Sequence, residues 1–142
     1  MRQTVVVALG GAFGTAARVW ISLLLLPFRD HLPVETICIN VAGSFVIGCF
    51  GTLTLEGGRY PLSELTRLFV MVGFCGGFTT FSAFSLETLQ LWSAGERDWA
   101  LANIAVSVLL CLGSVALGHV LASRFNGGAS GVAESAIEEE AS

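Results

Sequence analysis

Four long stretches of this chain contain almost no Asp, Glu, Lys or Arg, and this feature constrains the fold more than any other. Residues 36–55, 68–86 and 99–123 contain no charge, and residues 3–28 contain a single charged residue, Arg18. A helix needs about 20 mostly apolar residues to cross the hydrocarbon core of a bilayer. The sequence therefore predicts four transmembrane helices, near residues 4–26, 34–55, 67–92 and 99–123.

The composition excludes several other classes of protein. Charged residues make up 13% of the chain, about half of the 25% that is typical of soluble domains. The helices of a soluble bundle each need a polar face, and these segments have too few polar residues to provide one. A nucleic-acid-binding surface is also excluded, because the net charge is −4 and the seven basic residues are scattered arginines. A cleaved signal peptide is disfavoured because Arg18 interrupts the first apolar stretch and three more spans follow.

The predicted organisation is an all-α membrane domain followed by a tail. Residues 1–125 form the four-span domain, whereas residues 126–142 are rich in Gly, Ala and Ser, end in three consecutive Glu and predict a disordered acidic tail. The connections on one side of the membrane carry two arginines, and the other side carries four. This small difference permits insertion in both orientations.

Arg18 is the charged residue inside a predicted span. Placing a charge at a helix centre costs about 2.5–3.5 kcal/mol on insertion scales. Gly11 and Gly14 lie on the same helix face as Arg18 and let another helix approach closely. Two interpretations stay open: Arg18 snorkels or binds backbone carbonyls, or it draws an anion into a water-filled vestibule.

Two further spans carry a stripe of small polar residues on one helix face. In the second span Thr36, Asn40 and Ser44 recur at every fourth position, and in the fourth span Asn103 and Ser107 do the same. Such stripes either bring helices together through hydrogen bonds or line a path along which neutral groups replace the water shell of a small ion.

The third span contains the most unusual local pattern. Gly76 and Gly77 lie in mid-span, where each costs about 1 kcal/mol relative to Ala in a helix, and Thr79 or Thr80 is a suitable N-cap for a second half-helix. We therefore predict a broken helix near residues 75–80, whose free carbonyls can coordinate a cation. The rings of Phe81 and Phe84 that follow either pack against neighbours or offer positive ring edges to a small anion.

The sequence does not predict an enzyme. It contains no Ser/His/Asp set, no paired carboxylates and no metalloprotease or nucleotide-binding motif. Its four cysteines all lie within predicted spans and have no CxxC spacing, so neither a disulfide framework nor a zinc site is indicated.

Three motifs together resemble the Fluc/CrcB fluoride channel family. They are Gly10-Gly11-x-x-Gly14-x-x-x-Arg18, the stretch Asn-Val-Ala-Gly-Ser-Phe at residues 40–45, and the long glycine- and phenylalanine-rich stretch at residues 73–85. The resemblance implies a passive, highly selective fluoride channel of the bacterial plasma membrane that relieves fluoride toxicity. It also implies an antiparallel, dual-topology homodimer with a structural sodium ion at the dimer interface.

The resemblance also assigns roles to individual residues. It implies that the backbone carbonyls of Gly76 and Thr79 hold the sodium ion. It implies a fluoride pathway formed by Asn40, Phe81, Phe84, Thr80, Ser82 and Ser107, with Arg18 near a vestibule and Glu87 near one mouth. The chain departs from the family pattern at Asn103, where a Tyr is frequent, at Cys111, where a hydroxyl is frequent, and at Glu35, where a Gly is usual.

Two alternatives belong to other functional classes. A small multidrug transporter is also a four-span, dual-topology dimer, but it needs an acidic residue in its first span, where this chain has Arg18. A scaffold that packs helices around a partner would use the polar stripes for adhesion alone and would carry no flux.

Overall fold

The computed structural model of the protein describes residues 1–28, 31–55 and 60–126 and is entirely helical over those ranges apart from short connections. The predicted acidic tail lies outside the described residues except for Asn126, and so do Arg29 and Arg59 of the connecting segments. The helices are α1 (Arg2–Leu25), α2 (Val34–Leu53), α3 (Glu64–Arg67), α4 (Gly76–Phe78), α5 (Phe81–Ser93) and α6 (Arg97–Phe125). A short 3₁₀ turn, Leu26–Phe28, extends α1, and a π-helical segment, Leu68–Cys75, joins α3 to α4.

Four segments within the described residues are long and apolar enough to cross a membrane, which confirms the predicted number of spans. They are Arg2–Phe28, Val34–Leu53, Glu64–Ser93 and Arg97–Phe125. Large apolar side chains such as Leu24 and Leu109 point outward from the protein, and each is more than two-thirds exposed. Hydrocarbon rather than water is the solvent that suits such a surface.

Close contacts between glycine backbones join α1 to the third span. A Cβ atom at Gly14 would clash with the carbonyl oxygen of Phe74, and one at Gly10 would clash with that of Phe69. From the other side, a Cβ atom at Gly77 would clash with the carbonyl oxygen of Gly11. The glycine-lined face predicted on the first span is thereby confirmed, because it admits another helix at backbone distance.

A second pair of helices, α2 and α6, is joined in the same way. A Cβ atom at Gly48 would clash with the Val115 carbonyl, and one at Gly118 would clash with the Phe45 carbonyl. Ser114 adds a hydrogen bond across this pair, from its hydroxyl to the Val41 carbonyl at 2.8 Å. The bundle therefore consists of two closely packed pairs, with α5 also lying against α6.

The backbone of the third span leaves the helical conformation after its glycines rather than at them. Gly76 and Gly77 are helical, whereas Thr79 (φ −78°, ψ 156°) and Thr80 (φ −150°, ψ 106°) have extended backbone between α4 and α5. Close packing on α1 accounts for Gly77. Thr80, not Thr79, is the N-cap of α5, and its hydroxyl accepts a hydrogen bond from the Ala83 amide at 3.2 Å.

Substituting alanine at Gly14 tests the backbone contact between α1 and the third span. We expect Gly14→Ala to lower the free energy of unfolding by about 1–3 kcal/mol, because its methyl group must displace the Phe74 carbonyl. Gly11→Ala is the matched control, since its Cβ atom would meet the Gly73 carbonyl at an ordinary 3.8 Å. Denaturant titration in detergent micelles measures both, and equal losses would contradict the contact.

Candidate functional site

A groove of about 440 Å³ lies where α2 and α6 face the interruption of the third span. Its lining is mainly apolar, with polar groups from the second and fourth spans. Six of the predicted site residues line it, namely Asn40, Gly76, Thr79, Phe81, Phe84 and Ser107. The tertiary structure therefore brings together most of the residues that the sequence pattern singled out.

Four predicted site residues do not line this groove. Thr80 is the cap of α5, and its hydroxyl also lies 3.1 Å from that of Ser82. Arg18 lies on α1 with a buried Nε that forms no hydrogen bond to any residue in the described ranges. Glu87 lines a separate cavity of about 300 Å³ beside the end of α5.

Asn40 forms two hydrogen bonds with the extended backbone of Thr80. Its Oδ1 accepts from the Thr80 amide at 2.8 Å, and its Nδ2 donates to the Thr80 carbonyl at 3.2 Å. A side-chain amide on α2 thus satisfies both backbone groups of a residue that no longer belongs to a helix. Such compensation is necessary at membrane depth, where an unsatisfied backbone group costs several kcal/mol.

The first of these bonds takes the α-helical donor away from a carbonyl of the groove-lining residue Gly76. In an uninterrupted α-helix the Thr80 amide would donate to the Gly76 carbonyl, but here it donates to Asn40. The neighbouring Thr79 amide does not take its place, because this amide donates to the Cys75 carbonyl at 2.9 Å and not to the Gly76 carbonyl. The Thr79 carbonyl likewise loses its α-helical donor, since the Ala83 amide donates to the Thr80 hydroxyl.

The carbonyls of Gly76 and Thr79 are better suited to a cation than the His, Cys, Asp and Glu side chains of the described residues. Within the described residues there is no group of three or more His, Cys, Asp or Glu side chains that could hold a metal. Backbone oxygens are among the ligands that hard cations prefer. The groove wall at Gly76 is open, because a Cβ atom added there would have no neighbouring atom within 4 Å.

Two phenylalanine rings lie at the start of α5 and differ sharply in exposure. The ring centroids of Phe81 and Phe84 are 5.3 Å apart with an interplanar angle of 49°. Phe84 is buried, at 9% exposure, whereas Phe81 is 78% exposed. Both rings line the groove, but Phe84 is enclosed by its neighbours, whereas Phe81 exposes most of its ring at the surface of the protein.

A hydrogen-bonded chain that the sequence patterns only partly identified ties α5 to α6. The Thr88 hydroxyl donates to the Phe84 carbonyl at 2.7 Å and accepts from Asn103 Nδ2 at 2.9 Å. Asn103 is completely buried, and its Oδ1 accepts from the Ser107 hydroxyl at 3.3 Å. Spacing along α6 pointed to Asn103 and Ser107, but Thr88 was missed although it lies one turn beyond Phe84.

Glu87 forms a hydrogen bond with a residue of the second span. The spacing of residues along a single helix does not predict this pair. The Thr36 hydroxyl donates to Glu87 Oε1 at 2.9 Å. Thr36 is buried and lies one turn before Asn40 on α2. The polar stripe of α2 therefore contacts the third span at two successive turns.

The chemistry of the groove suits passage of a small ion rather than a reaction. Its described lining residues include hydroxyl, amide and aromatic groups and no charged side chain. Neutral donors and positive ring edges stabilise an anion without the strong binding that a fixed countercharge would produce.

Comparison with known proteins identifies relatives over nearly the whole chain. Residues 5–119 match the model of the family described as CrcB-like protein, Camphor Resistance (CrcB). A protein of Methylobacterium radiotolerans named fluoride-specific ion channel FluC is 56% identical over 136 residues, covering 96% of this chain and 95% of that protein. A protein of the same name from Gluconobacter oxydans is 55% identical over 137 residues, covering 96% and 95%.

Removing the Asn40 amide tests its role at the interruption. We expect Asn40→Ala to raise the hydrogen-exchange rate of the Thr80 amide about tenfold or more, because the loss of one buried hydrogen bond changes the free energy by about 1–3 kcal/mol. Ser44→Ala, on the same wall of the groove, is the control that leaves both Thr80 bonds in place. Unchanged exchange in Asn40→Ala would show that other groups protect this amide.

Proposed function

The chain belongs to the CrcB-like protein family, and from this membership we propose that it is a passive, highly selective fluoride channel. The protein is a multi-pass protein of the bacterial plasma membrane and a transporter rather than an enzyme. It exports cytoplasmic fluoride down its electrochemical gradient and so relieves fluoride toxicity. The observation that carries this function is the identity of 56% to a fluoride-specific ion channel across 96% of the chain.

The groove supplies groups that suit a small, strongly hydrated anion. One N–H of the Asn40 amide is used by the Thr80 carbonyl, and a side-chain amide has a second N–H to donate. The edges of Phe81 and Phe84 complete the central part of the proposed pathway. The Ser107 hydroxyl joins them when its proton turns from Asn103 Oδ1 to the anion. Thr80 and Ser82 provide further hydroxyls, whereas Arg18 serves a vestibule and Glu87 a mouth.

A structural sodium ion is the second element of the proposal. The Gly76 and Thr79 carbonyls are the groups that would hold it, because the interruption of the third span separates both from their α-helical donors. The ion would balance the partial negative charge of these carbonyl oxygens and tie the two halves of the span together.

The proposed assembly is an antiparallel homodimer of dual topology. Phe81 is 78% exposed, and Gly76 on the groove wall is also exposed. A second copy against this face would cover the Phe81 ring and bring a second pair of Gly76 and Thr79 carbonyls near the first. The proposed sodium site would then be formed by the broken third helices of both protomers.

Flux through liposomes that contain only this protein tests the function. We expect rapid, voltage-driven fluoride efflux at a fluoride electrode and no chloride efflux at a parallel electrode, without ATP or a proton gradient. Fluoride movement that requires ATP or a proton gradient would replace the channel with a pump or an exchanger. Absence of flux from a folded dimer would contradict the proposal and favour a scaffold.

Substitutions in the groove test the pathway. We expect Phe81→Ile and Asn40→Asp each to reduce fluoride flux at least about tenfold, because one removes an aromatic edge and the other adds a negative charge. Phe13→Ile is the matched control, since Phe13 is also exposed but lies on α1. Chromatography of each variant must show an unchanged dimer, and normal flux in both variants would remove the two residues from the pathway.

Alanine substitution at Gly76 tests the dimer face. Neither Gly76 nor Gly113 has an atom within 4 Å of an added Cβ, so within one protomer both sites accept a methyl group. We expect Gly76→Ala to weaken dimerisation about tenfold or more, since a methyl group there obstructs the second copy, and Gly113→Ala to leave it unchanged. Equal dimer stability in the two variants, measured by dilution in detergent, would exclude Gly76 from the interface.

A further inference from the structure

A second cavity of about 480 Å³ adjoins the groove, where the C-terminal parts of α2 and α6 face the start of the π-helical segment. Its polar side chains are Thr52, Arg67 and His119, and the Thr52 hydroxyl lies 2.9 Å from His119 Nδ1. Ile47 and Met71 line both this cavity and the groove. The junction between the two spaces therefore lies at two apolar side chains.

The two side chains at this junction offer no hydrogen-bond donor to an anion. Ile47 has no polar side-chain atom, and the thioether of Met71 is a weak acceptor that cannot donate. Donors lie on either side of the junction, with Asn40 and Ser44 in the groove and Arg67 in the second cavity. Water leaves a narrow apolar passage readily, so such a passage opposes the movement of a hydrated ion.

Gly51 on α2 makes room for the end of the Met71 side chain. A Cβ atom added at Gly51 would lie 3.1 Å from Met71 Cε and 3.9 Å from its Sδ, and no atom of any other described helix lies within 4 Å of that position. Methionine is unbranched and has three rotatable side-chain bonds, so its end moves when a neighbour changes. The missing side chain at Gly51 therefore determines how far Met71 can reach towards α2.

We propose that Ile47 and Met71 form an apolar constriction between the groove and the second cavity, and that Gly51 sets its width by holding the end of Met71 against α2. This inference rests on the proposed function, because the constriction controls flux only where an ion passes between the two spaces. A methyl group at position 51 pushes the end of Met71 away from α2, back into the cavity that both residues line. A shorter side chain at position 71 leaves the passage wider.

A double-mutant cycle at the two positions tests the constriction. We expect Gly51→Ala to reduce fluoride efflux about threefold or more and Met71→Ala to raise it about twofold or more, because a narrow apolar passage limits the ion. In the Met71→Ala background, Gly51→Ala should change efflux by less than about 1.5-fold, since the side chain that it displaces is gone. Gly113→Ala on α6 is the control, because its added Cβ atom has no neighbour within 4 Å. A loss that persists in the Met71→Ala background, or unchanged efflux in Met71→Ala, would overturn the proposal.

The other side of the constriction is tested at Ile47. We expect Ile47→Ala to raise fluoride efflux about twofold, because it removes the second apolar side chain that both spaces share. Val46→Ala, one residue earlier on α2, is the matched control, since Val46 is exposed and is not among the described residues that line either space. Equal efflux in the two variants would contradict a constriction at Ile47.

A measurement without flux separates this inference from the proposed channel function. The chain has two methionines, Met1 and Met71, and Met1 is fully exposed. In protein isotopically labelled at the methionine methyl carbons, Gly51→Ala should move the Met71 methyl resonance in the NMR spectrum and leave that of Met1 in place. Gly113→Ala should move neither resonance, because its added methyl group meets no neighbour.

The two experiments together give distinct outcomes. Reduced efflux and a moved Met71 resonance in Gly51→Ala support the constriction. Flux in the unsubstituted protein, with an unmoved Met71 resonance in Gly51→Ala, would overturn this inference and leave the channel function in place. Absence of flux in the folded, unsubstituted protein would overturn the proposed function and the constriction with it, even where the Met71 resonance moves.

Discussion

Two hydrogen bonds between the side chain of Asn40 and the backbone of Thr80 allow a membrane-spanning helix to be interrupted. Hydrocarbon supplies no water to replace lost helical bonds, so a break survives where protein groups satisfy the backbone. The amide side chain suits this role because it has both a donor and an acceptor. The Gly76 carbonyl loses its α-helical donor through this pair, and α5 begins directly after the residue that the pair holds.

Close helix packing holds the rest of the bundle around that interruption. Glycines bring α1 against the third span and α2 against α6 at backbone distance, and the groove lies between these two closely packed pairs. The chain of hydrogen bonds through Thr88, Asn103 and Ser107 then joins α5 to α6. Asn103 is the fully buried centre of this hydrogen-bonded chain.

Charged side chains lie beside the groove and not in its described lining. The groove lining contains neutral and aromatic groups, whereas Arg67 and His119 line the cavity that adjoins it. An ion that loses water needs neighbours that bind it without retaining it. This separation is consistent with the proposed channel.

The sequence by itself determined the four spans, because long runs without charge have few alternatives to a bilayer, and its motifs identified the family. It also predicted an interruption near residues 75–80 but associated it with the helix-weakening glycines. The tertiary structure decided where within that range helical geometry is lost: Gly77 is helical and packs closely on α1, and the extended residues are Thr79 and Thr80. Likewise the partners of Asn40, Thr88 and His119 lie on other helices. Spacing along one helix shows which residues share a face, but the packing of backbones decides which face meets which partner.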